Sequence, residues 1–139
     1  MVVCEGLKHI QSNFAEAECS VMLGVPLIFE NMHRKVWKQA EKSGSLSKLQ
    51  RGIALSKKMK FQNHPRATRK MFRTIHELFG KNHYMFIAGG AAIDPAVIDD
   101  FEAMGFPMFQ GYGMTECSPI IALNSDRYRK SAAAGKTLP

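Results

Sequence analysis

Residues 84–116 read YMFIAGGAAIDPAVIDDFEAMGFPMFQGYGMTE and give the clearest indication of the fold. Tyr84–Ala88 is a short apolar run, long enough for a buried strand and too short for a helix. Gly89–Gly90 ends this run, and glycine lets a backbone turn sharply or approach a ligand closely. Asp94–Pro95 then places an N-capping side chain directly before a proline at the first helical position. The order therefore predicts a strand, a glycine turn and a helix.

The second half of the stretch predicts that this helix leads into another strand. An apolar stripe at helical spacing is formed by Val97, Ile98, Phe101 and Met104. Gly105 is a natural helix stop. Phe106–Phe109 is a second short apolar run, and Gly111–Gly113 follows as a second glycine turn. Because ligands bind outside the carboxyl ends of strands in open α/β sheets, the two turns predict a binding site at one sheet edge.

Before this stretch the sequence predicts a mostly helical region, 1–83, with one strand. The predicted elements are a helix at Val3–Phe14, a strand at Cys19–Gly24, and helices at Leu27–Lys42, Leu46–Met59 and Pro65–Phe79. The last helix carries the apolar stripe Met71, Phe72, Ile75, Leu78 and Phe79. Residues 84–123 form the predicted core, with a short strand in Ile120–Leu123, and 124–139 is predicted as a loop or tail. The fold class is α/β, with parallel strands joined by helices.

Composition predicts an ordinary cytoplasmic protein. The 139 residues are 45% hydrophobic, and the longest apolar run, Cys19–Phe29, is too short and too interrupted to cross a membrane. The amino terminus lacks the pattern of a signal peptide. Cys4, Cys19 and Cys117 show no pairing or metal-ligand spacing, so we expect reduced thiols and no zinc site. His9, His33, His64, His76 and His83 show neither ligand spacing nor a Ser/Asp partner, which favours surface or core roles.

Positive charge is concentrated in residues 33–83. The net charge of the chain is +7, yet only Glu41 and Glu77 oppose the many lysines and arginines of this segment. One interpretation is a surface for nucleic acid, an anionic membrane or an anionic ligand such as a coenzyme. The favoured interpretation is the solvated side of amphipathic helices. Since exposed aromatic residues are not interleaved with the basic ones, nucleic acid is not expected as a partner.

Four segments resemble the adenylate-forming, or AMP-binding, enzyme superfamily in family order. Gln110–Glu116 closely resembles its Y-G-x-T-E core motif, and Gly89–Ala91 lies upstream where the family carries a G-G-A turn. Gly24–Glu30 is similar to the V-P-x-I-F-E signature of long-chain fatty acyl-CoA synthetases, and Gly135–Pro139 to their G-x-P-L-P segment. The resemblance implies a piece of the large amino-terminal domain of such a synthetase. It also implies ATP, Mg²⁺ and coenzyme A as cofactors and co-substrates.

The resemblance further implies roles for individual residues. Glu116 matches the magnesium-linked glutamate, and Thr115 matches the threonine that reaches a phosphate; both are implied catalytic residues. Tyr112 matches the aromatic residue that packs against adenine. The implied nucleotide-binding set is Gly89, Gly90, Ala91, Gln110, Gly111, Tyr112, Gly113 and Met114.

The implied activity is that of a long-chain fatty acid–CoA ligase acting through an acyl-AMP, with fatty acid, ATP and CoA as small-molecule partners. The family's phosphate loop and its downstream aspartate, arginine and lysine are not in this sequence. We therefore expect an internal fragment, inactive alone, that self-associates through apolar surface. Two alternatives stay open: an amino-acid or aryl-acid adenylating domain, and a basic module that binds nucleic acid or an anionic membrane. Peripheral membrane contact is also compatible with the basic helices.

Overall fold

The computed structural model describes residues 20–59, 65–79, 85–117, 120–125 and 130–137. The predicted helix Val3–Phe14 lies outside these residues, as do Cys4 and Cys19. Within the described residues the chain forms an α/β structure with a mostly parallel sheet, which confirms the predicted fold class.

Five strands form one sheet in chain order. They are β1 (Val21–Gly24), β2 (Met85–Ala88), β3 (Met108–Tyr112), β4 (Ala122–Leu123) and β5 (Lys136–Thr137). The first three strands pair in parallel, as predicted for the two apolar runs of the central stretch, while β4 and β5 pair antiparallel. The parallel strands are connected by helices, as parallel pairing requires.

Five helices occupy the described residues. They are α1 (Pro26–Lys42), α2 (Leu46–Met59), α3 (Pro65–Met71), α4 (Arg73–Leu78) and α5 (Pro95–Ala103). The predicted caps are confirmed: the Asp94 carboxylate accepts from the backbone N–H of Ala96 at 2.9 Å, with Pro95 at the first turn of α5. Past the end of α1, Gly44 adopts a φ of +66°, which glycine takes without strain.

The helix predicted from Pro65 to Phe79 is wrong in one respect, because it breaks into α3 and α4 at Phe72. Phe72 has φ −108° and ψ 32°, outside the helical range, and its ring reaches α2. There the ring lies 3.1 Å from the place where a Cβ on Gly52 would stand. Met71 and Leu78, predicted in the buried stripe, are each 40% exposed. Packing of one phenylalanine against a glycine therefore overrides the regular helical stripe.

The core is a cluster of phenylalanines on the helical side of the sheet. Phe86 of β2 is at its centre, with ring centroids 5.3 Å from Phe29, 5.9 Å from Phe79, 5.2 Å from Phe101 and 5.6 Å from Phe106. All five rings are less than 2% exposed. These contacts connect α1, α5 and the start of β3 to β2. Packed aromatic rings therefore stabilise the arrangement of these elements.

A polar cluster joins three helices beside this core. Asp100 of α5 is 2.9 Å from Nε2 of His33 in α1, and Lys57 of α2 donates to it at 2.7 Å. The prediction that His33 has no Asp partner is wrong, since the partner is distant in the sequence. Nε1 of Trp37 lies 2.8 Å from the same nitrogen of His33. Burial raises the pKa of Asp100, but the hydrogen bonds and charges of His33 and Lys57 outweigh it and hold that pKa below its ordinary value.

The predicted tail 124–139 also differs from the structure. Lys136 and Thr137 form β5, which pairs with β4 in the register Leu123↔Lys136. Asn124 is 2% exposed and its side-chain amide donates to the carbonyl of Ala133 at 2.8 Å, which holds the returning chain. None of the helices in the described ranges is long and apolar enough to cross a membrane.

Candidate functional site

The carboxyl ends of the three parallel strands lie side by side. In the sheet register, Gly24 of β1 is opposite Ala88 of β2, and Ala88 is opposite Gln110 of β3. The segments that follow these residues therefore leave the sheet at one edge. This is the edge at which open α/β sheets bind ligands.

The turn after β2 lies directly against the end of β1. The backbone N–H of Gly89 donates to the carbonyl of Gly24 at 3.1 Å. Gly90 has a φ of +87°, a left-handed conformation that residues with a Cβ rarely adopt. A Cβ built on Gly90 would come 3.9 Å from Val25, so this turn packs against the residue that begins the α1 segment. Ala91 follows the turn and is exposed.

The predicted second glycine turn is wrong for two of its three residues. Gly111 and Tyr112 belong to β3 and pair with Leu123 and Ala122, so only Gly113 lies beyond the strand. A Cβ on Gly111 would lie 3.3 Å from the Leu123 side chain. Glycine at this position thus lets the strand change from its parallel partner β2 to its antiparallel partner β4.

The structure brings the two glycine segments together. A Cβ on Gly89 would be 3.9 Å from the carbonyl oxygen of Gly111, so no side chain separates the two backbones there. Gln110, which precedes Gly111 and pairs with Ala88, is half-buried, and its carbonyl accepts from the N–H of Asn124 at 3.1 Å. The two segments named from the sequence therefore form one continuous backbone surface.

The remaining predicted residues project beyond this surface. Tyr112 is 53% exposed and Met114 is 43% exposed. Thr115 and Glu116 are exposed on a 3-10 turn, Thr115–Cys117. Within the described ranges no cationic side chain forms an ion pair with Glu116, and no group of three His, Cys, Asp or Glu residues is placed to hold a metal.

Sequence reasoning missed the part that β1 plays in this edge. The resemblance assigns Gly24 and Val25 to an acyl-class signature. In the structure Gly24 accepts a hydrogen bond from Gly89, and Val25 lies beside Gly90. The sequence does carry a signal for this role. Gly24 ends an apolar run, as Gly89 does after the next strand.

Comparison with known proteins adds two findings. The sequence matches the protein family described as AMP-binding enzyme over residues 3–139. The human long-chain-fatty-acid–CoA ligase ACSBG2 is 30% identical over 132 residues, which cover 85% of this chain and 20% of the ligase. The chain thus spans about a fifth of the length of this curated relative.

Proposed function

We propose a function from the premise that this chain belongs to the AMP-binding enzyme family. It supplies the nucleotide-binding edge of a ligase that activates a long-chain fatty acid with ATP and passes the acyl group to coenzyme A. The observation that carries the proposal is that Gly89 lies beside Gly111 at the carboxyl edge of the sheet, where a Cβ on Gly89 would stand 3.9 Å from the Gly111 carbonyl oxygen. Backbone that lacks side chains there lets a bound adenylate approach it closely.

The proposed nucleotide contacts come from this edge. Tyr112 packs against adenine with its exposed ring, and Gln110 and Gly111 line the same side. Gly89–Ala91 lies beside the adenylate and the acyl group. Gly113 and Met114 carry the chain from the adenine to the phosphates.

Thr115 and Glu116 are proposed to act at the phosphates. Thr115 donates hydrogen bonds to a phosphate oxygen on which charge develops as the carboxylate attacks. Glu116 is exposed and has no described cationic partner, so its carboxylate is available to a cation. One carboxylate fits Mg²⁺, which usually takes one or two protein carboxylates together with substrate phosphates. When bound, Mg²⁺ would neutralise phosphate charge.

The fatty-acid assignment depends on two similarities. Gly24–Glu30 resembles the long-chain signature, and the human relative is a long-chain-fatty-acid–CoA ligase by name. Amino-acid or aryl-acid activation is the competing function within the same family. Carboxylate-dependent exchange of pyrophosphate into ATP distinguishes them, measured on the protein that carries this chain with fatty, aryl and amino acids. We expect exchange that rises with acyl length. Exchange with amino or aryl acids alone would overturn the lipid assignment and keep the site.

The site itself is tested by Glu116→Ala in the protein that carries this chain. We expect the pyrophosphate-exchange rate to fall by roughly a hundredfold or more, because charge stabilisation at the phosphates is lost. Glu41→Ala, at another exposed acid near the end of α1, is the matched control and keeps the rate. Normal exchange by Glu116→Ala with unchanged circular dichroism would contradict the role of Glu116.

We also propose that α2 contacts an anionic membrane surface while the enzyme collects its lipid. The exposed cations on α2 and α3 that form no ion pair within the described residues are Lys48, Arg51, Lys58, Arg66, Arg69 and Lys70. Leu55 and Met59, 45% and 54% exposed, lie beside Arg51 and Lys58 at helical spacing. An exposed apolar pair flanked by cations is typical of interfacial helices.

Vesicle flotation tests this surface. We expect binding to phosphatidylserine vesicles but not to phosphatidylcholine vesicles, and a loss of roughly tenfold or more for Arg51→Glu with Lys58→Glu. The control pair Lys35→Glu with Lys38→Glu changes the same charge on the exposed side of α1. Equal losses for both pairs would show a general charge effect, and preferential binding to duplex DNA would favour the nucleic-acid alternative.

A further inference from the structure

A cavity of about 280 Å³ lies between α1, α2 and α4. Its apolar walls are formed by Val36 and Ala40 of α1, Leu49 of α2, Ile75 and Leu78 of α4, and Phe72 before α4. At a rise of about 1.5 Å per residue, Ala40 lies about 20 Å along α1 from Pro26. Because Pro26 follows the carboxyl end of β1, the cavity is far from the proposed nucleotide edge.

Apolar side chains surround the opening of this cavity. Gly52 of α2 carries no side chain, and a Cβ there would stand 3.1 Å from the Phe72 ring and 3.8 Å from Sδ of Met71. The absence of a side chain at Gly52 therefore lets Phe72 and Met71 pack over α2. Met71 and Leu78 also line the cavity, yet each is 40% exposed. Large apolar side chains that stay exposed around a concave surface are typical of ligand-binding grooves.

Lys48 gives the cavity a single charge. It is the one charged residue among the described residues that line the cavity, and it is exposed. Within the described ranges Lys48 forms no ion pair. A lysine carries its ammonium group on a flexible apolar stem, so the stem can cover the cavity wall while the charge stays in water. A head group at the mouth of the cavity is therefore within reach of a positive charge.

These properties define the ligand. The apolar walls favour an alkyl chain, and one unpaired cation with no acid in the lining favours a single anionic head group. An apolar cavity of about 150 Å³ holds one benzene molecule, so about 280 Å³ corresponds to roughly ten carbon atoms. A cationic head group would be repelled by Lys48, and an uncharged chain would leave the lysine without a partner.

We propose that this cavity binds a fatty carboxylate of about ten carbons. Its alkyl chain packs against Leu49, Ile75 and Leu78, and its carboxylate pairs with Lys48. Since the cavity is far from the nucleotide edge, a carboxylate held here is bound without being activated. The proposal therefore does not rest on adenylation, and its failure leaves the proposed function unaffected.

The test is an NMR titration of the 139-residue chain with decanoate, which follows the isotope-labelled methyl groups of its methionines. We expect decanoate to shift the Met71 methyl resonance saturably. Met114 lies at the nucleotide edge and Met59 lies on α2 outside the cavity lining, so their methyl resonances should stay in place. Affinity should rise about twofold to fourfold per added methylene from hexanoate to decanoate, because each methylene leaves water for the apolar walls.

Two pairs of variants distinguish the head group from the chain. Lys48→Gln is expected to weaken decanoate binding by about threefold and to leave decanol binding unchanged, since an exposed ion pair contributes modestly. Lys58→Gln, at an exposed lysine of the same helix outside the lining, should change neither. Leu78→Gln should weaken the binding of both ligands by about fivefold, whereas Leu55→Gln, at an exposed leucine outside the lining, should not.

The proposal is overturned by an absence of saturable shifts at Met71, by equal shifts at Met71 and Met114, or by equal losses within either pair of variants. Equal losses of decanol and decanoate binding in Lys48→Gln would also overturn it, because the charge would then play no part. A Met71 resonance that moves on dilution without decanoate would assign the cavity to contact between copies of the chain and contradict the proposal.

Discussion

At the residue scale, a side chain at position 105 is disfavoured both by the backbone conformation and by the neighbouring atoms. Gly105 follows α5 with a φ of +89°, and a Cβ built on it would stand 2.5 Å from Oγ1 of Thr68 and 3.3 Å from Nε2 of His76. Thr68 is fully buried, so it has no open space into which to move. By contrast Gly44, with a φ of +66°, has no atom within 4 Å of its Cβ position.

Substitutions at these two glycines distinguish the cost of backbone strain from the cost of steric overlap. We expect Gly105→Ala to lower the free energy of unfolding by roughly 3 kcal/mol, because backbone strain and overlap with Thr68 add. Gly44→Ala is the matched control and costs about 1 kcal/mol, from the left-handed backbone alone. Urea denaturation measures both. Equal losses at the two positions would show that the contact with Thr68 relaxes freely.

At the element scale, the Asp100 carboxylate joins α1, α2 and α5. Its side chain is 15% exposed and is shared by His33 and Lys57, which come from the two helices that pack against α5. Because its pKa is held below the ordinary value, the ionised form stabilises the folded chain. This contribution is complete above the unfolded pKa of about 4 and is lost as the pH falls through the lower folded value.

Asp100→Asn tests this connection between the helices. We expect it to lower the free energy of unfolding by about 1–2 kcal/mol at neutral pH, since two charge-assisted hydrogen bonds are weakened. We also expect the difference from the unsubstituted chain to shrink as the pH falls below about 4, where the unfolded carboxylate protonates, and to vanish below the lower folded pKa. Asp99→Asn, an exposed neighbour on the same helix, serves as the control. A difference that stays constant down to low pH would mean that the charge of Asp100 is not what stabilises the fold.

At the scale of the whole molecule, β1 is an edge strand with exposed apolar side chains. It ends the row of described strands, and Val21, Leu23, Val25 and Leu27 are 47%, 74%, 50% and 55% exposed. An edge strand also presents unpaired backbone groups to other chains. Apolar side chains beside such an edge favour association between copies.

We therefore expect the 139-residue chain to form a dimer or a higher oligomer that dissociates on dilution. Leu23→Gln should weaken this association, whereas Leu78→Gln, an exposed leucine on α4, should leave it unchanged. Sedimentation velocity over a range of concentrations measures the effect. A single monomeric species at the highest concentration would contradict self-association.

Features that depend on neighbours along the chain follow from the sequence alone. Asp94, Pro95 and Gly105 set the bounds of α5, because capping and helix stopping act within one turn. Apolar spacing likewise placed α1 and α2 and the strands of the central stretch. The residue types of the candidate site were also readable, since family motifs are local, and their chemical roles stay predictions.

Features that depend on pairing between distant segments emerge when the chain is folded. Strand register places Gly89 beside Gly111. β3 pairs with β4 from Gly111 onward because β4 passes beside that residue. The break at Phe72 and the pairing of His33 with Asp100, 67 residues away, arise in the same way. Such contacts form between surfaces that the folded sheet and helices create, so no spacing along the chain encodes them directly.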